Sequence, residues 1–423
     1  MRQQDEVLAG GGADRAPLLA GARVLVAHSS AELYGSDRTV LESVRALTRQ
    51  GCTVLAVLPE HGPLEAPLRA AGAEVRVVRS VVLRKADLSP GGLVGLAART
   101  LRALPGHLRL LRGSGAHLVY VNTINVPLWA PLARVAGIPV LGHVHEAEDG
   151  LPRAVALGLA LPLLPARRVL VNSEAARAVL LRACPRLSGR TTTVYNGVPG
   201  PPAGPSPLPE HPPTPLRLVL VGRLSHRKGT DVAVEAVLSL RDRGVPVHLE
   251  LVGAVAPGGE EFGQALRARV AAAGAQDLVT FAGFQPDVWP RLAAADVVLV
   301  PSRLEPFGNV AVEAALAGRP LVVSGVQGLC EIVEDGRTGV VVPPGDAQAL
   351  ADAVVRLRDD WEAARDMAGT ARAVAGQRFG VERFARDLPR LVADLLPDEQ
   401  RARRPVRALS ARWRRSGRAP GPR

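Results

Sequence analysis

The sequence predicts an α/β chain of two doubly wound parallel-sheet domains. Three observations predict it. Short apolar runs alternate with helical periodicities over most of the 423 residues. A proline-rich break at residues 199–215, nine prolines in seventeen positions, splits that alternation into two series. Twice in the second series an apolar run ends in a glycine-bearing loop that opens a helix, the junction where open parallel sheets hold ligands.

The first series opens with a strand at 23–27. Residues 29–36 form a loop. A helix over 37–49 follows, with Val40, Leu41, Val44 and Leu47 on one face, and Gly51 ends it. Further strands are predicted at 53–58, 75–78, 118–122, 138–141 and 169–171, with helical stretches between them. Such alternation places helices on both faces of a parallel sheet. Asn172-Ser173-Glu174 reads as a helix start, and Tyr195-Asn196-Gly197 as a turn into the proline-rich segment, which reads as a semi-rigid linker. The second series places strands at 216–221, 247–252, 279–281, 297–300, 321–323 and 340–342, and helices over about 230–241, 347–359 and 381–396. The expected domains are therefore 22–198 and 216–375, with a disordered N-terminus at 1–21 and a disordered tail at 398–423.

Apolar residues make up 47% of the chain, enough for two cores, while aromatics are only 3%. Cys52, Cys184 and Cys330 form neither metal spacing nor a disulfide framework, which favours a reducing cytosol. The N-terminus carries no signal-peptide pattern, and no run reaches the roughly 18 apolar residues of a membrane span. The longest candidate, 154–166, is short and interrupted by proline. The net charge is +12, and nine of the arginines fall in residues 401–423, so 12 − 9 leaves about +3 for the rest. An anionic-membrane anchor, a solvated tail and a nucleic-acid arm are all open readings of that block. The last is disfavoured, because Trp413 is the tail's one aromatic residue.

Residues 301–345 carry the densest chemistry. Glu305 sits on a loop after an apolar strand, and Glu313 lies about one turn into the helix that Phe307-Gly308-Asn309 opens, with Val310 next. The first-turn N–H groups and the helix dipole attract an anion, and carboxylates grip paired hydroxyls. The plain alternative is a solvated loop acid and a first-turn stabilising acid. A second junction, Gly222-Arg223 to Lys228-Gly229, adds a bidentate and a point-charge donor beside it. Taken alone it is a solvated basic turn. Together the two junctions suit a diphosphate.

Gly222-Arg223 with Lys228-Gly229, followed by Glu305 and Glu313 with seven residues between them, resembles the donor-binding signature of family 4 retaining glycosyltransferases, over about residues 23–384. The resemblance implies the GT-B fold, two Rossmann-like domains facing a cleft, and transfer of a sugar from a nucleoside-diphosphate sugar. It implies that Arg223 and Lys228 hold the diphosphate, that Glu305 and the Phe307-Gly308-Asn309 backbone hold the sugar, and that Glu313 holds the ribose. It also implies that a last helix, at 376–397, returns to the first domain, and that no protein nucleophile is needed.

The first domain offers fewer groups. His143-Val144-His145-Glu146 follows a strand end at the cleft. His145 better matches the family histidine, whose role is a hydrogen bond to the sugar or diphosphate. Geometry allows His143 and His145 to share a metal, yet no third ligand and no Asp-X-Asp pattern is present, so no metal or other cofactor is expected. At 29–37 the family commonly has two adjacent glycines. Here only Gly35 matches, and Tyr34 takes the other place on the acceptor side; Gly35 also suits a positive φ before a helix. Residues 79–112 carry seven basic residues against Asp87, with leucines interleaved, and read either as a lipid-facing amphipathic segment or as a helix packed on the sheet. The resemblance thus implies a cytoplasmic enzyme, peripheral at the inner face of the membrane, with a glycan or lipid-linked acceptor in cell-envelope assembly. A non-catalytic subunit of the same fold and a nucleotide-sugar epimerase stay open beside it.

Overall fold

The computed structural model describes residues 17–83, 87, 90–255 and 258–396. The 401–423 arginine block and most of the 1–21 segment lie outside the described residues.

Strands β1 (Arg23–Ala27), β2 (Thr53–Leu58), β3 (Glu74–Val77), β4 (Leu118–Val121), β5 (Val140–Val144), β6 (Arg168–Val171) and β7 (Thr191–Thr193) form one sheet in the order β3-β2-β1-β4-β5-β6-β7. Strands β8 (Leu216–Val221), β9 (Val247–Val252), β10 (Val279–Gly283), β11 (Val297–Val300), β12 (Leu321–Ser324) and β13 (Val340–Val342) form a second, in the order β10-β9-β8-β11-β12-β13. Every neighbouring pair in both sheets is parallel. The structure is therefore the two-domain α/β architecture that the alternation predicts.

Both sheets are covered on both faces, which explains strands that are apolar throughout. In β1, Val24 and Val26 pack with Val40, Val44 and Leu47 of the Gly35–Arg49 helix, whereas Leu25 and Ala27 pack on the other face with Leu111 and Trp129. In the second domain Leu218 and Leu220 meet Val234 and Val237 on one face, and Val219, Val298 and Val300 meet Ala311 and Val312 on the other.

Two strands of the first sheet differ most from the sequence reading. Strand β5 starts at Val140 rather than residue 138 and runs through Val144. Pro139 has no N–H to pair, so the ladder begins after it, and His143 lies within the sheet rather than beyond its end. The short threonine strand β7 has no apolar run to announce it.

The proline-rich 199–215 segment, read from sequence as a semi-rigid linker, is a strap pinned to the second domain. Buried Arg319 donates to the Ser206 carbonyl at 2.5 Å, Trp361 Nε1 donates to the Pro209 carbonyl at 2.9 Å, and Leu208 packs on the domain core. The return to the first domain falls at Gly380. Residues 376–379 still belong to the Trp361–Phe379 helix on the second domain, while the Val381–Ala393 helix buries Phe384, Leu388 and Val392 against the first. Each such side chain contributes roughly 1.5–3 kcal/mol of burial. The two chain crossings touch: Val198 N–H donates to the Phe379 carbonyl at 2.9 Å, and Arg383 donates to the Tyr195 carbonyl at 2.5 Å.

Candidate functional site

In each sheet the strand order reverses direction between two neighbours, β1/β4 and β8/β11. The crevice beyond the carboxyl ends of such a pair is where this architecture places ligands. All the candidate loops except the one after β5 leave one of these four strands.

The second domain builds its half from the loops after β8 and β11. At the far end of these strands, Arg217 forks onto the buried Asp296 carboxylate at 2.7 and 2.9 Å and fixes them side by side. At the near end Gly229 has φ +66°, and a Cβ there would lie 1.9 Å from the Pro301 carbonyl oxygen, so only glycine lets the two loops touch. Arg303 tightens the same contact: its N–H donates to the Arg227 carbonyl at 2.8 Å, and its guanidinium forks onto Asp231 at 2.8 Å for both bonds. The result brings Lys228 Nζ onto Glu305 Oε2, where Ser302 Oγ also donates at 3.2 Å. Glu305 is 7% exposed. A cation, a carboxylate and a hydroxyl thus meet at one point at the mouth of β11.

Gln327 supports that point from behind. Its Oε1 accepts from the Glu305 N–H at 3.0 Å, and its Nε2 donates to the Ala147 carbonyl of the first domain at 2.7 Å. Its φ of 39° makes it the one non-glycine residue with positive φ among the described residues, a strain that the two bonds hold in place.

The Asn309–Leu316 helix opens beside this cluster. The N–H groups of Asn309 and Val310 precede its first internal bonds, which run from Ala311 and Val312 to the Gly308 carbonyl, and lie at the cleft end of the helix. Phe307 is buried among Tyr195 and Phe379, so it presents its backbone, not its ring, to the loop. Gly308 has φ +115°, and a Cβ there would lie 2.6 Å from Leu329. Val310 is half-buried and packs on the domain core. The Asn309 side chain bridges the domains, accepting from Asn196 Nδ2 at 2.9 Å and donating to the Gly35 carbonyl at 3.3 Å. Glu313 is 5% exposed, and Arg38 of the first domain donates to it at 3.1 Å. Burial pushes the Glu313 carboxyl above the usual range, and Arg38 pulls in the opposite direction. Leu33, Arg38, Pro286, Trp289, Asn309 and Glu313 line an interdomain cavity of about 260 Å³.

Arg223 is exposed on its loop, with its guanidinium 4.3 Å from the Tyr34 ring centroid across the cleft. Tyr34 also meets Phe284 edge-on at 5.7 Å. A guanidinium stacked by its face keeps its N–H edges free for an anion. Tyr34 therefore touches the second domain as well as its own loop.

On the first-domain wall, His145 is 9% exposed and its Nε2–H donates to Asn122 Oδ1 at 3.1 Å. Burial pushes both rings toward the neutral form, His143 down to about 3. His143 Nδ1 meets the buried Tyr120 hydroxyl at 2.6 Å. Behind them Glu146 is held by Thr123 Oγ1 at 2.5 Å, Asn125 Nδ2 at 3.1 Å and the His145 N–H at 2.9 Å, which ties the loop after β4 to the loop after β5. Burial raises the Glu146 carboxyl above its usual range. Among the described residues no group of three or more His, Cys, Asp or Glu is arranged to hold a metal ion.

The structure thus joins Lys228 with Glu305, Arg223 with Tyr34, and Asn309 with Gly35, whereas His145 makes its side-chain bond within its own domain. Sequence reading missed Arg38, Asn122, Glu146, Ser302 and Gln327. One signal was available for two of them: Asn122 and Ser302 are polar residues just past the ends of apolar strands at the cleft.

Residues 34–199 match the family model for Glycosyltransferase Family 4, and residues 215–360 match that for Glycosyl transferases group 1. A D-inositol 3-phosphate glycosyltransferase of Arthrobacter sp. is 39% identical over 176 residues, covering 40% of each chain, so the match spans about two fifths of that relative's length. D-inositol 3-phosphate glycosyltransferase 2 of Catenulispora acidiphila is 32% identical over 301 residues, 66% of this chain and 69% of that one. The crystal structure of Anabaena HepE in complex with UDP-glucose superposes with a TM-score of 0.74 at 23% identity, over 88% of this chain and 100% of that one, a likeness of fold. Two parallel-sheet domains around a shared cleft, with that likeness, define the GT-B fold class. The chain belongs to the family 4, or group 1, glycosyltransferases.

Proposed function

We propose that the protein transfers a sugar from a nucleoside diphosphate to an acceptor, with retention of anomeric configuration. The observation that carries this reading is the meeting of Lys228, Glu305 and Ser302 beside the opening of the Asn309–Leu316 helix, with Arg223 on the adjacent loop. Relatives named as glycosyltransferases and the UDP-glucose complex of HepE support it.

Negative charge grows on the diphosphate as the glycosidic bond breaks. Arg223, Lys228 and the first-turn N–H groups at Asn309 and Val310 stabilise it without a metal, which is electrostatic catalysis by groups already in place. Lys228 has three N–H donors, so it serves Glu305 and a phosphate oxygen together. Glu305 and the 307–309 backbone hold the sugar, Glu313 accepts from the ribose hydroxyls, and His145 meets the sugar from the other wall. Glu305, already bonded to Lys228 and Ser302, binds hydroxyls rather than attacking the anomeric carbon. A thermal-shift screen of nucleoside diphosphates and their sugars tests donor binding, and NMR of the product's anomeric coupling tests retention. Stabilisation by none of them, or an inverted product, contradicts the reading.

The acceptor is proposed to be lipid-linked or a glycan of the cell envelope, met at the cytoplasmic face of the membrane. Two observations support a membrane surface. The Pro90–Ser114 helix leaves Val94 and Leu101 exposed at 72% and 67%, beside exposed Arg99, Arg102, Arg109 and Arg112, although Leu104, Leu108 and Leu111 pack on the core. The nine arginines of 401–423 supply further positive charge. Among the described residues no helix is long and apolar enough to cross a membrane.

A further inference from the structure

Three buried polar side chains of the first domain stand in line behind His145. Asp37 Oδ1 lies 2.7 Å from His28 Nε2, His28 Nδ1 lies 3.2 Å from Asn122 Nδ2, and Asn122 Oδ1 lies 3.1 Å from His145 Nε2. His28, Asp37 and Asn122 are at most 1% exposed. The line ends at His145 Nδ1, a buried ring nitrogen with no hydrogen-bond partner.

Each bond in the line has one direction. The Asp37 carboxylate only accepts, so His28 carries its proton on Nε2. The His28 ring accepts at Nδ1 from the Asn122 amide N–H. The amide carbonyl in turn accepts from His145 Nε2–H, which leaves a bare lone pair on His145 Nδ1. A second proton on His28 would find only the Asn122 backbone carbonyl, at 3.3 Å, and would face the amide N–H₂ with a ring N–H. His143 does not intrude: its ring lies 4.0 Å from that of His145, and its own Nε2 is also without a partner. Asp37 Oδ2 further accepts from the Tyr34 N–H at 2.8 Å, so one carboxylate orders both the 29–36 loop and this line.

We propose that Asp37, His28 and Asn122 are positioning residues that lock His145 as the Nε2–H tautomer, so that its Nδ1 accepts a hydrogen bond from a hydroxyl of the transferred sugar. The identity of that hydroxyl-bearing ligand rests on the donor-site reading above. The tautomer rests on hydrogen-bond geometry alone.

Ring nitrogen-15 NMR of the full chain, labelled at histidine and with His145 assigned through His145→Gln, tests the lock. The expected spectrum has the His145 proton on Nε2 and an unprotonated Nδ1. In Asn122→Leu both His145 nitrogens should move toward averaged values, while Asn122→Asp, which still accepts, should keep the wild-type pattern. If the leucine variant does not fold, His28→Phe removes the acceptor that fixes the orientation of the Asn122 amide, and so frees its carbonyl to leave His145 Nε2. A proton on Nδ1 in the wild type, or an unchanged tautomer in the leucine or phenylalanine variant, overturns the proposal whatever the protein catalyses. Saturating UDP-glucose, with binding checked independently by thermal shift, should move the Nδ1 resonance. A bound donor that leaves it unmoved overturns the hydroxyl contact. Absence of any UDP-glucose binding counts against the donor reading instead, and the tautomer result still decides the lock.

Discussion

Arg38 of the first domain places Nη1 3.1 Å from Glu313 Oε1 of the second, and Nη2 3.2 Å from the Pro286 carbonyl. A single side chain thus holds the proposed ribose-binding acid and the loop after β10 together. Glu313 is raised by burial and lowered by Arg38, so removing the arginine should raise it further. Ribose binding needs the carboxylate form, and affinity is lost as pH falls through the folded pKa. In Arg38→Met, nucleotide affinity should therefore fall off at a higher pH than in the wild type, as read by titrations across the acid limb. Coincident pH profiles would remove Arg38 from this role.

The Lys228–Glu305 pair makes a stability prediction separable from catalysis. Lys228→Met leaves a carboxylate that is 7% exposed with Ser302 as its side-chain donor. Urea unfolding should show a loss of about 1–3 kcal/mol, the cost of stranding a charged group. Adding Glu305→Gln should recover most of it while transfer stays absent. Equal destabilisation of the single and double variants would contradict the pairing account.

His143 predicts a slope in acid. Its ordinary pKa is about 6.5, and burial holds the folded value at about 3. Below the unfolded value the unfolded chain takes up a proton that the native ring refuses. Stability is thus lost as pH falls from about 6.5 toward about 3, by roughly 1.4 kcal/mol per pH unit for this ring. In His143→Asn the slope of unfolding free energy across that window should drop by about one proton. An unchanged slope would show that the ring is protonated in the fold.

Membrane docking predicts a split between two chains. The full protein should co-sediment with anionic vesicles at low salt and release as salt rises, since exposed charges are screened within about 10 Å at 0.1 M. A chain ending at Pro397 should bind more weakly, through the Arg99–Arg112 face alone. No sedimentation of either chain would remove the membrane from the account.

Sequence and structure agree best where backbone geometry is written locally. The Gly222–Gly229 and 301–309 loops were legible because glycine, charge and a preceding apolar run are neighbours in the chain. Arg38 and Glu313 are 275 positions apart, and nothing in either neighbourhood marks the other. Gln327 reaches Ala147 across 180 positions in the same way. Pro139 marks the start of β5, whereas Gly142 and His143 interrupt its apolar run and yet pair within the sheet, so the end of that strand is not legible from apolarity. The proline count of 199–215 marked a break in pattern. The receiving groups, Arg319 and Trp361, lie over a hundred residues away and could not be paired with it by periodicity.

The proposed function stands or falls with the Arg223–Lys228 loop holding a diphosphate. Calorimetric titration of the wild type and of Arg223→Ala with a nucleoside diphosphate, and with the matching nucleoside, tests it most directly. Arg223→Ala should lose about 1.5–3 kcal/mol for the diphosphate, the range of a charged hydrogen bond, and almost nothing for the nucleoside. Equal losses for the two ligands, or none for either, would contradict it.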